Sequence, residues 1–312
     1  MQRFSRKLAL GAIAAAALVA TGAAQADTGK LSLTGGITSI DGAAGGGITP
    51  WATIGTMGNE LGVSAAYSTL RVQDYEFQTY GVAVGINDRF EVSLGKQELT
   101  LKSVDALGGT AGRYEANGQK SNLDIIGLKY RVAGEAILDS DKLMPQISVG
   151  ILHKRVSASS VLDGYLTAFK AEREGNELYA SATKLFLKNS LLLNATARYT
   201  NANQNGLLGF GSKFAGQNND MRLYPEFSAA YLLSPKLAVG AEYRVKPNNL
   251  EGIIAPGDLK ETEWKDLFIA YTPVKNLTLT LAYVDLGQVV PALAAARTSS
   301  QTGTFLSAQV AF

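Results

Sequence analysis

The stretch Leu191-Leu-Leu-Asn-Ala-Thr-Ala-Arg-Tyr199 alternates apolar side chains with polar or small ones. If it is a strand, its odd-numbered residues form one apolar face, and its even-numbered residues place Asn, Thr and Arg on the other face. A period of two is typical of a β-strand with two different environments. The same alternation recurs at 237–246 and 277–283, so the pattern belongs to the whole chain and not to one segment.

Alternating stretches of about ten residues follow one another from Leu61 to the carboxyl terminus. Short connections at 87–89, 188–190, 234–236 and 274–276 alternate with long ones near 100–120, 157–174, 202–219, 248–262 and 288–302. This alternation is typical of an all-β fold, a transmembrane antiparallel β-barrel. We predict about twelve strands, near 61–70, 75–86, 90–99, 121–132, 144–156, 175–186, 191–201, 221–233, 236–247, 263–273, 277–287 and 303–312.

A soluble sandwich also alternates, but two further features favour a barrel in the outer membrane. Several predicted strands carry a tyrosine near one end of the apolar face, as the aromatic girdles of a membrane barrel require. These are Tyr67, Tyr130, Tyr199, Tyr231, Tyr243, Tyr271 and Tyr283. The last stretch, Gly303 to Phe312, alternates and ends on an aromatic residue. We therefore predict that Phe312 is the signal by which the barrel-assembly machinery recognises the chain.

The first 26 residues have the three parts of a secretory signal peptide: a basic start, an apolar run and a small-residue cleavage site at Ala24-Gln25-Ala26. Their removal takes away three basic and no acidic residues, so the net charge falls from +2 to −1. Such a chain has no basic surface for nucleic acid. With no Cys and one His, neither a disulfide framework nor a multi-histidine metal site is expected.

Residues 27–60 form a Gly-rich N-terminal segment ahead of the barrel at 61–312. The segment lacks the Gly-Lys-Ser/Thr sequence of a phosphate-binding loop, and no cofactor is expected. Its glycines permit close approach to other backbone, which favours a plug or a lining of the lumen. The alternative is a first hairpin at 30–38 and 48–56, which would give fourteen strands.

The segment also carries a resemblance. Lys30-Leu-Ser-Leu-Thr-Gly-Gly-Ile37, Gly42-Ala-Ala-Gly-Gly-Gly-Ile-Thr-Pro-Trp51 and the terminal Phe312 resemble an uncharacterised, porin-like family of proteobacterial outer-membrane β-barrels. That family has an LTGG…GAAGGG…PW motif at the mature N-terminus. The resemblance covers the whole mature chain and implies a porin-like barrel without naming a substrate.

Charged residues within the strands alternate onto the face away from lipid, since a charge facing the bilayer centre would cost about 2–4 kcal/mol. A turn at 234–236 pairs Glu226 with Arg244 and Glu242 with Ser228 across two strands. Near the outer mouth, four cations of the seventh to ninth strands face only two carboxylates, and this excess favours an anion-attracting mouth. The cations are Arg198, Arg222, Arg244 and Lys246, and the carboxylates are Glu226 and Glu242. The predicted pore-lining residues are Lys129, Arg131, Arg198, Arg222, Glu226, Glu242, Arg244 and Lys246.

These features predict a porin-like channel for small solutes, in contact with outer-membrane lipids and lipopolysaccharide. A plugged structural or adhesive barrel is the alternative. A third hypothesis, a lipid-modifying enzyme, depends on His153 and Ser157 on the lipid face. Residues four apart on a strand are about 13 Å apart, too far for a nucleophile and its base, and Arg155 lies between them. No enzymatic activity is therefore expected.

The cleavage site makes a direct prediction. The mature protein should begin at Asp27, because Ala24 and Ala26 provide the small residues that the peptidase requires after the apolar run. N-terminal sequencing of protein extracted from membranes should read Asp-Thr-Gly-Lys. Retention of Met1 in the folded, membrane-bound protein would contradict the prediction.

Overall fold

Twelve antiparallel strands close into one barrel, in which each strand pairs with its neighbours in sequence and β1 pairs with β12. The computed structural model describes residues 33, 38–56, 61–102, 118–137, 143–253, 259–289 and 300–312. The strands are β1 (Leu61–Arg71), β2 (Tyr75–Ile86), β3 (Phe90–Leu101), β4 (Lys120–Ala133), β5 (Gln146–Ala158), β6 (Glu174–Phe186), β7 (Leu191–Thr200), β8 (Arg222–Ser234), β9 (Leu237–Arg244), β10 (Trp264–Val274), β11 (Leu277–Asp285) and β12 (Thr302–Ala311).

The predicted all-β barrel and its strand number are confirmed. Predicted and observed bounds agree within two residues except at the end of β9, which stops at Arg244 and not at 247. The predicted pairing across the turn at 234–236 is also correct, since Glu226 lies opposite Arg244 and Ser228 opposite Glu242. The period of two was therefore sufficient to predict the strands and, together with the turn at 234–236, the pairing register of β8 with β9.

The outer wall of the barrel is mainly apolar, and buried charged side chains line the lumen, the reverse of a soluble protein. In β3, the outward residues Phe90, Val92 and Leu94 are exposed, whereas the inward residues Glu91 and Ser93 are buried. The same burial pattern alternates along the other strands. An exposed apolar wall is stable only against lipid, and a closed barrel leaves no unpaired strand edge within it.

The two ends of the barrel differ. The turn end carries the start of β1, the end of β12 and four short connections, together with the longer one at 134–145. The loop end carries the long connections that follow β3, β5, β7, β9 and β11, together with the short one at 72–74. At the turn end the rings of Phe90 and Tyr130 lie 4.8 Å apart on the outer surface. Tyr199, Tyr243 and Tyr283 are exposed near the loop end. Aromatic residues thus mark both ends of the apolar wall, as a membrane barrel requires.

A short helix, α1 (Ser160–Ala168), lies in the connection between β5 and β6. Leu162 and Leu166, four residues apart, are buried against the hydrophobic cluster at the loop end. Within the described ranges, no helix combines the length and the apolar character that crossing a bilayer would require.

Residues 38–56 lie inside the barrel and form no strand of its wall. Ala44, Ala52 and Ile54 are completely buried there. The alternative of a further hairpin at 30–38 and 48–56 is therefore wrong for its second half, because the sheet already closes between β1 and β12. Residues 30–32 and 34–37 of that hairpin, and the predicted signal peptide at 1–26, lie outside the described residues.

Close backbone packing seats the segment against β2 and β3. Gly42 has a φ of +91°, and a Cβ on it would lie 2.8 Å from Leu94 O and 2.9 Å from Gly95 Cα. A Cβ on Gly81 of β2 would lie 2.9 Å from Gly42 Cα. Three glycines therefore meet where the segment touches the wall, and a side chain at any of them would push the segment away.

The carboxyl terminus closes the sheet. Phe312 N–H donates to Val63 O, and Val63 N–H donates to Phe312 O, both at 2.9 Å. These two bonds use only the backbone of Phe312, so its ring is available to act as the predicted assembly signal.

Replacing Phe312 with Ala separates these two roles. Phe312→Ala keeps both backbone hydrogen bonds, and we expect it to lower the yield of heat-modifiable folded barrel at low expression because the aromatic ring is absent. Deletion of Phe312 removes ring and bonds together and serves as the comparison. A normal folded yield for Phe312→Ala would contradict the assembly role of the ring.

Candidate functional site in the barrel lumen

Buried charged side chains on the inner wall hold the N-terminal segment, residues 38–56, by its backbone. Glu91 accepts hydrogen bonds from Ala44 N–H at 3.0 Å and Gly55 N–H at 2.9 Å. Lys129, on the adjacent strand, donates from Nζ to Ala44 O at 2.6 Å and Thr53 O at 2.8 Å. Glu91 and Lys129 also pair at 3.2 Å, with side chains only 1% exposed. One ion pair thus binds the segment at two places, at Ala44 and at Thr53 and Gly55.

Glu242 makes an equivalent contact from the other side of the barrel. Its carboxylate accepts from Gly47 N–H at 3.2 Å, from Ile48 N–H at 2.6 Å and from Thr49 Oγ1 at 3.0 Å. Ser228, opposite Glu242 on β8, donates to the same carboxylate at 2.9 Å. Hydrogen bonds to a charged group stabilise by about 1.5–3 kcal/mol each, more than neutral ones.

Neutral side chains on β5, β6 and β7 bind the segment at Pro50 and Ala52. Pro50 O accepts from Ser181 Oγ at 3.0 Å and Thr196 Oγ1 at 2.8 Å. Ala52 O accepts from Gln146 Nε2 and Ser148 Oγ, each at 2.6 Å, and Ala52 N–H donates to Thr183 Oγ1 at 2.7 Å. The small polar residues of these strands therefore satisfy backbone groups that would otherwise be buried without a partner.

A second charged cluster surrounds Asp41. Its carboxylate lies 3.0 Å from Lys154 Nζ, 3.4 Å from Arg198 Nη1 and 3.8 Å from Arg244 Nη1. Two carboxylates of the wall complete the cluster. Glu177 contacts Lys154 at 2.9 Å and Arg198 at 2.8 Å, and Glu226 contacts Arg198 at 2.5 Å and Arg244 at 3.2 Å.

This cluster corrects the predicted charge excess. Three cations, Lys154, Arg198 and Arg244, face three carboxylates, Asp41, Glu177 and Glu226, so the cluster is charge-balanced. The prediction of an anion-attracting mouth omitted Asp41, which belongs to the segment, and Glu177, which lies at the start of β6. Glu177 was accessible to the period-of-two argument, whereas no periodic pattern extends to Asp41.

A folded loop closes the cluster from the loop end. Asn205, in the 3-10 turn Asn203–Gly206, accepts at Oδ1 from Lys154 Nζ at 2.7 Å and Arg244 Nη2 at 2.6 Å. Its amide nitrogen donates to Asp41 Oδ1 at 3.0 Å and to Gln97 Oε1 at 3.1 Å. Asn205 has a φ of +63°, a conformation that asparagine tolerates better than most residues. No pattern in the sequence indicates a role for this residue.

The remaining predicted residues lie nearer the ends of the barrel. Lys246, just beyond β9, donates to Gln204 Oε1 at 2.6 Å and lies 3.9 Å from Glu261. Burial lowers the pKa of Lys246 and raises that of Glu261, and their mutual attraction opposes both shifts. Arg131 pairs with Asp88 at 2.8 Å at the turn end, and Arg222 is exposed at the loop end.

The pair that suggested a lipid enzyme is incomplete. His153 is exposed, and its Nδ1 hydrogen-bonds with Asn176 Oδ1 at 2.9 Å. Ser157 lies four residues further along β5, opposite Asn122, and within the described part of the chain no hydrogen bond joins it to His153. Among the described residues, no group of three or more His, Asp or Glu side chains could hold a metal ion.

Comparisons with known proteins give a family and a set of similar folds. A model of the family described as "Protein of unknown function (DUF3034)" matches residues 34–309. None of the curated proteins compared with the chain matches its sequence.

Among solved structures, KdgM porin is 10% identical, with 80% of this chain and 99% of that chain covered and a TM-score of 0.46. The COG4313 outer membrane channel from Pseudomonas putida F1 is 11% identical, covering 82% and 96%, with a TM-score of 0.45. Outer membrane phospholipase A from Escherichia coli is 9% identical, covering 80% and 95%, with a TM-score of 0.39. At such values neither channel nor phospholipase activity transfers to this chain.

The Asp41 cluster predicts a change in stability. Asp41→Asn leaves three buried cations opposite two carboxylates, and removal of one partner from a buried ion pair costs about 3–5 kcal/mol. We expect the folded barrel to lose its heat-modifiable band at a lower urea concentration than the wild type.

Asp124→Asn is the matched control, because Asp124 is 64% exposed on the outer face and its 3.9 Å contact with Lys96 is expected to contribute about 0–1 kcal/mol. Equal urea midpoints for the two variants would show that Asp41 is not bound as the structure describes.

Proposed function

Because the chain belongs to the DUF3034 family and folds as a closed twelve-stranded barrel with an apolar outer wall, the architecture of an outer-membrane protein, we propose that it is a porin-like channel closed by its own N-terminal segment. In this proposal residues 38–56 are a plug. Small solutes pass only when the plug leaves its place in the lumen, because the segment and the inner wall contact one another along most of the barrel circumference.

The observation that carries the proposal is the position of the wall charges. Glu91, Lys129 and Glu242 bind the backbone of the plug, and Asp41 of the plug binds three cations of the wall. Charged groups buried only to support the wall would need partners on the wall alone. Here both groups of wall charges have a partner on the plug. This supports the proposal that the wall holds a removable element.

The same contacts support closure in the resting state. Bonds from the plug reach side chains on β3 through β9, and Asn205 of the loop end binds both the plug and the wall. Opening therefore requires the loss of several charge-assisted hydrogen bonds together. Lumen residues proposed to line the pore, Lys129 and Glu242 among them, would contact solutes only after that loss.

The remaining partners follow from the surface. The apolar wall and its aromatic ends fit outer-membrane lipid and lipopolysaccharide, and Phe312 fits recognition by the barrel-assembly machinery. A permanently closed structural barrel is the second candidate, supported by the number of plug contacts. No observation favours the lipid enzyme, since the exposed His153 hydrogen-bonds with Asn176 and not with a nucleophile.

Weakening the plug contacts should open the channel. In Glu91→Gln/Glu242→Gln each side chain keeps its size but loses its charge, and its new NH₂ group competes with the plug amides. Each charge-assisted hydrogen bond contributes about 1.5–3 kcal/mol, so the closed-to-open ratio should fall by about 100-fold or more. Single-channel recording in planar bilayers should show rare openings for the wild type and frequent openings for the double variant.

Glu98→Gln is the control for the loss of charge alone. Glu98 lies on β3, like Glu91, but on the opposite face near Lys96. It should behave as the wild type does. A double variant that folds normally yet never conducts would overturn the channel proposal and leave the closed structural barrel in its place.

A further inference from the structure

The plug is fixed to one side of the barrel, and a cavity lies on the other side. Its hydrogen bonds to the wall run from β3 to β9, with one longer contact of 3.5 Å between Gln309 on β12 and Thr38 O. A cavity of about 50 Å³ lies between the plug and the wall formed by β10, β11, β12, β1 and β2, with Leu99 of β3 at its edge, in the half of the lumen nearer the loop end. Ile40 and Ile48 of the plug form one of its walls.

The lining of this cavity is hydrocarbon. Leu70, Phe77 and Val284 point into it from the strands, and Leu207 and Val289 cover it from the connections at the loop end. All five belong to the largest of the apolar clusters inside the barrel. An apolar cavity at this place is not required to close the barrel, because the plug contacts on β3 to β9 already do so.

Polar groups at the edge of the cavity are already paired with one another. Tyr75 OH donates to Val289 O at 2.8 Å. Gln204 accepts from Lys246 at 2.6 Å and donates to Gln288 O at 3.3 Å. Two polar atoms of lining residues are exceptions and have no hydrogen-bond partner among the described residues, Trp264 Nε1 and Asp266 Oδ1. Asp266 lies where this cavity meets a second one of about 30 Å³.

We propose that the cavity is a binding site for a small apolar molecule of about the size of a short hydrocarbon, held between the plug and the β10–β12 side of the wall. A cavity needs only about 10–15 Å³ to hold a water, but water also needs two to four polar partners, and apolar cavities instead stay dry and take up apolar molecules. The site exists with the plug in place, so it does not rest on the proposed channel activity.

Trp264 provides a built-in reporter. Its ring lines the cavity and is only 4% exposed, so molecules dissolved in lipid or detergent reach it poorly from outside. The chain has two tryptophans, and Trp51→Phe leaves Trp264 alone. Dibromomethane is a suitable probe, because it is small and apolar and its bromine atoms quench tryptophan fluorescence on contact.

The experiment titrates dibromomethane into the folded mature Trp51→Phe protein in detergent. We expect saturable quenching of Trp264. Val284→Phe fills the cavity and should abolish the saturable part, whereas Leu281→Phe, on the lipid face of the same strand, should leave it unchanged. Quenching that rises linearly and equally in all three proteins would overturn the proposal, because it would reflect partition into detergent only.

Val284→Thr is a second variant that tests the proposal even where Val284→Phe does not fold. The substitution keeps the side-chain size but places a hydroxyl group in the cavity. Because dibromomethane must displace water from this hydroxyl, its binding should weaken by about tenfold. Heat-modifiability on a gel verifies the fold of each variant. An unchanged dissociation constant for folded Val284→Thr would place the probe outside the cavity and overturn the proposal.

Discussion

The structure depends on one constraint: charges and backbone amides inside the barrel have little water, and each must find a partner within the protein. Glu91, Lys129 and Glu242 meet this requirement by binding the backbone of residues 38–56. The segment meets it in return, because its own irregular backbone forms no sheet and is satisfied by wall side chains. Wall and plug therefore stabilise each other.

That mutual dependence explains how far the sequence could predict the structure. The bilayer requires a period of two along each strand, and twelve strands and the register of Glu226 with Arg244 follow from that pattern. The inward charges follow from it as well. Their partners do not, since Asp41 and Asn205 lie in segments without periodicity, and their positions depend on the packing of the whole lumen. The cation excess behind the predicted anion-attracting mouth was wrong for this reason, because Asp41 of the plug and Glu177 pair with the cations of the wall.

The lumen is divided into two sides with different chemistry. From β3 to β9, polar side chains bind the plug, and the glycine contact of Gly42 with Gly95 brings its backbone against the sheet. Along β10 to β12 and the adjacent strands, apolar residues such as Leu70 and Val284 leave space beside the plug. The plug is thus bound to the wall mainly from β3 to β9, and on the other side a longer contact of 3.5 Å between Gln309 and Thr38 O joins it to the wall.

The central claim is that residues 38–56 occupy the lumen in the membrane. The chain has no cysteine, so a pair introduced at Thr49 and Ser228, whose hydroxyl groups are hydrogen-bonded, reports their contact without interference. Oxidation of intact outer membranes should link the two peptides in most molecules, as read by mass spectrometry, whereas Thr49→Cys with Ser307→Cys, on β12, should remain unlinked. Free thiols in the first pair that react readily with a maleimide, in a barrel that is otherwise folded, would contradict the account.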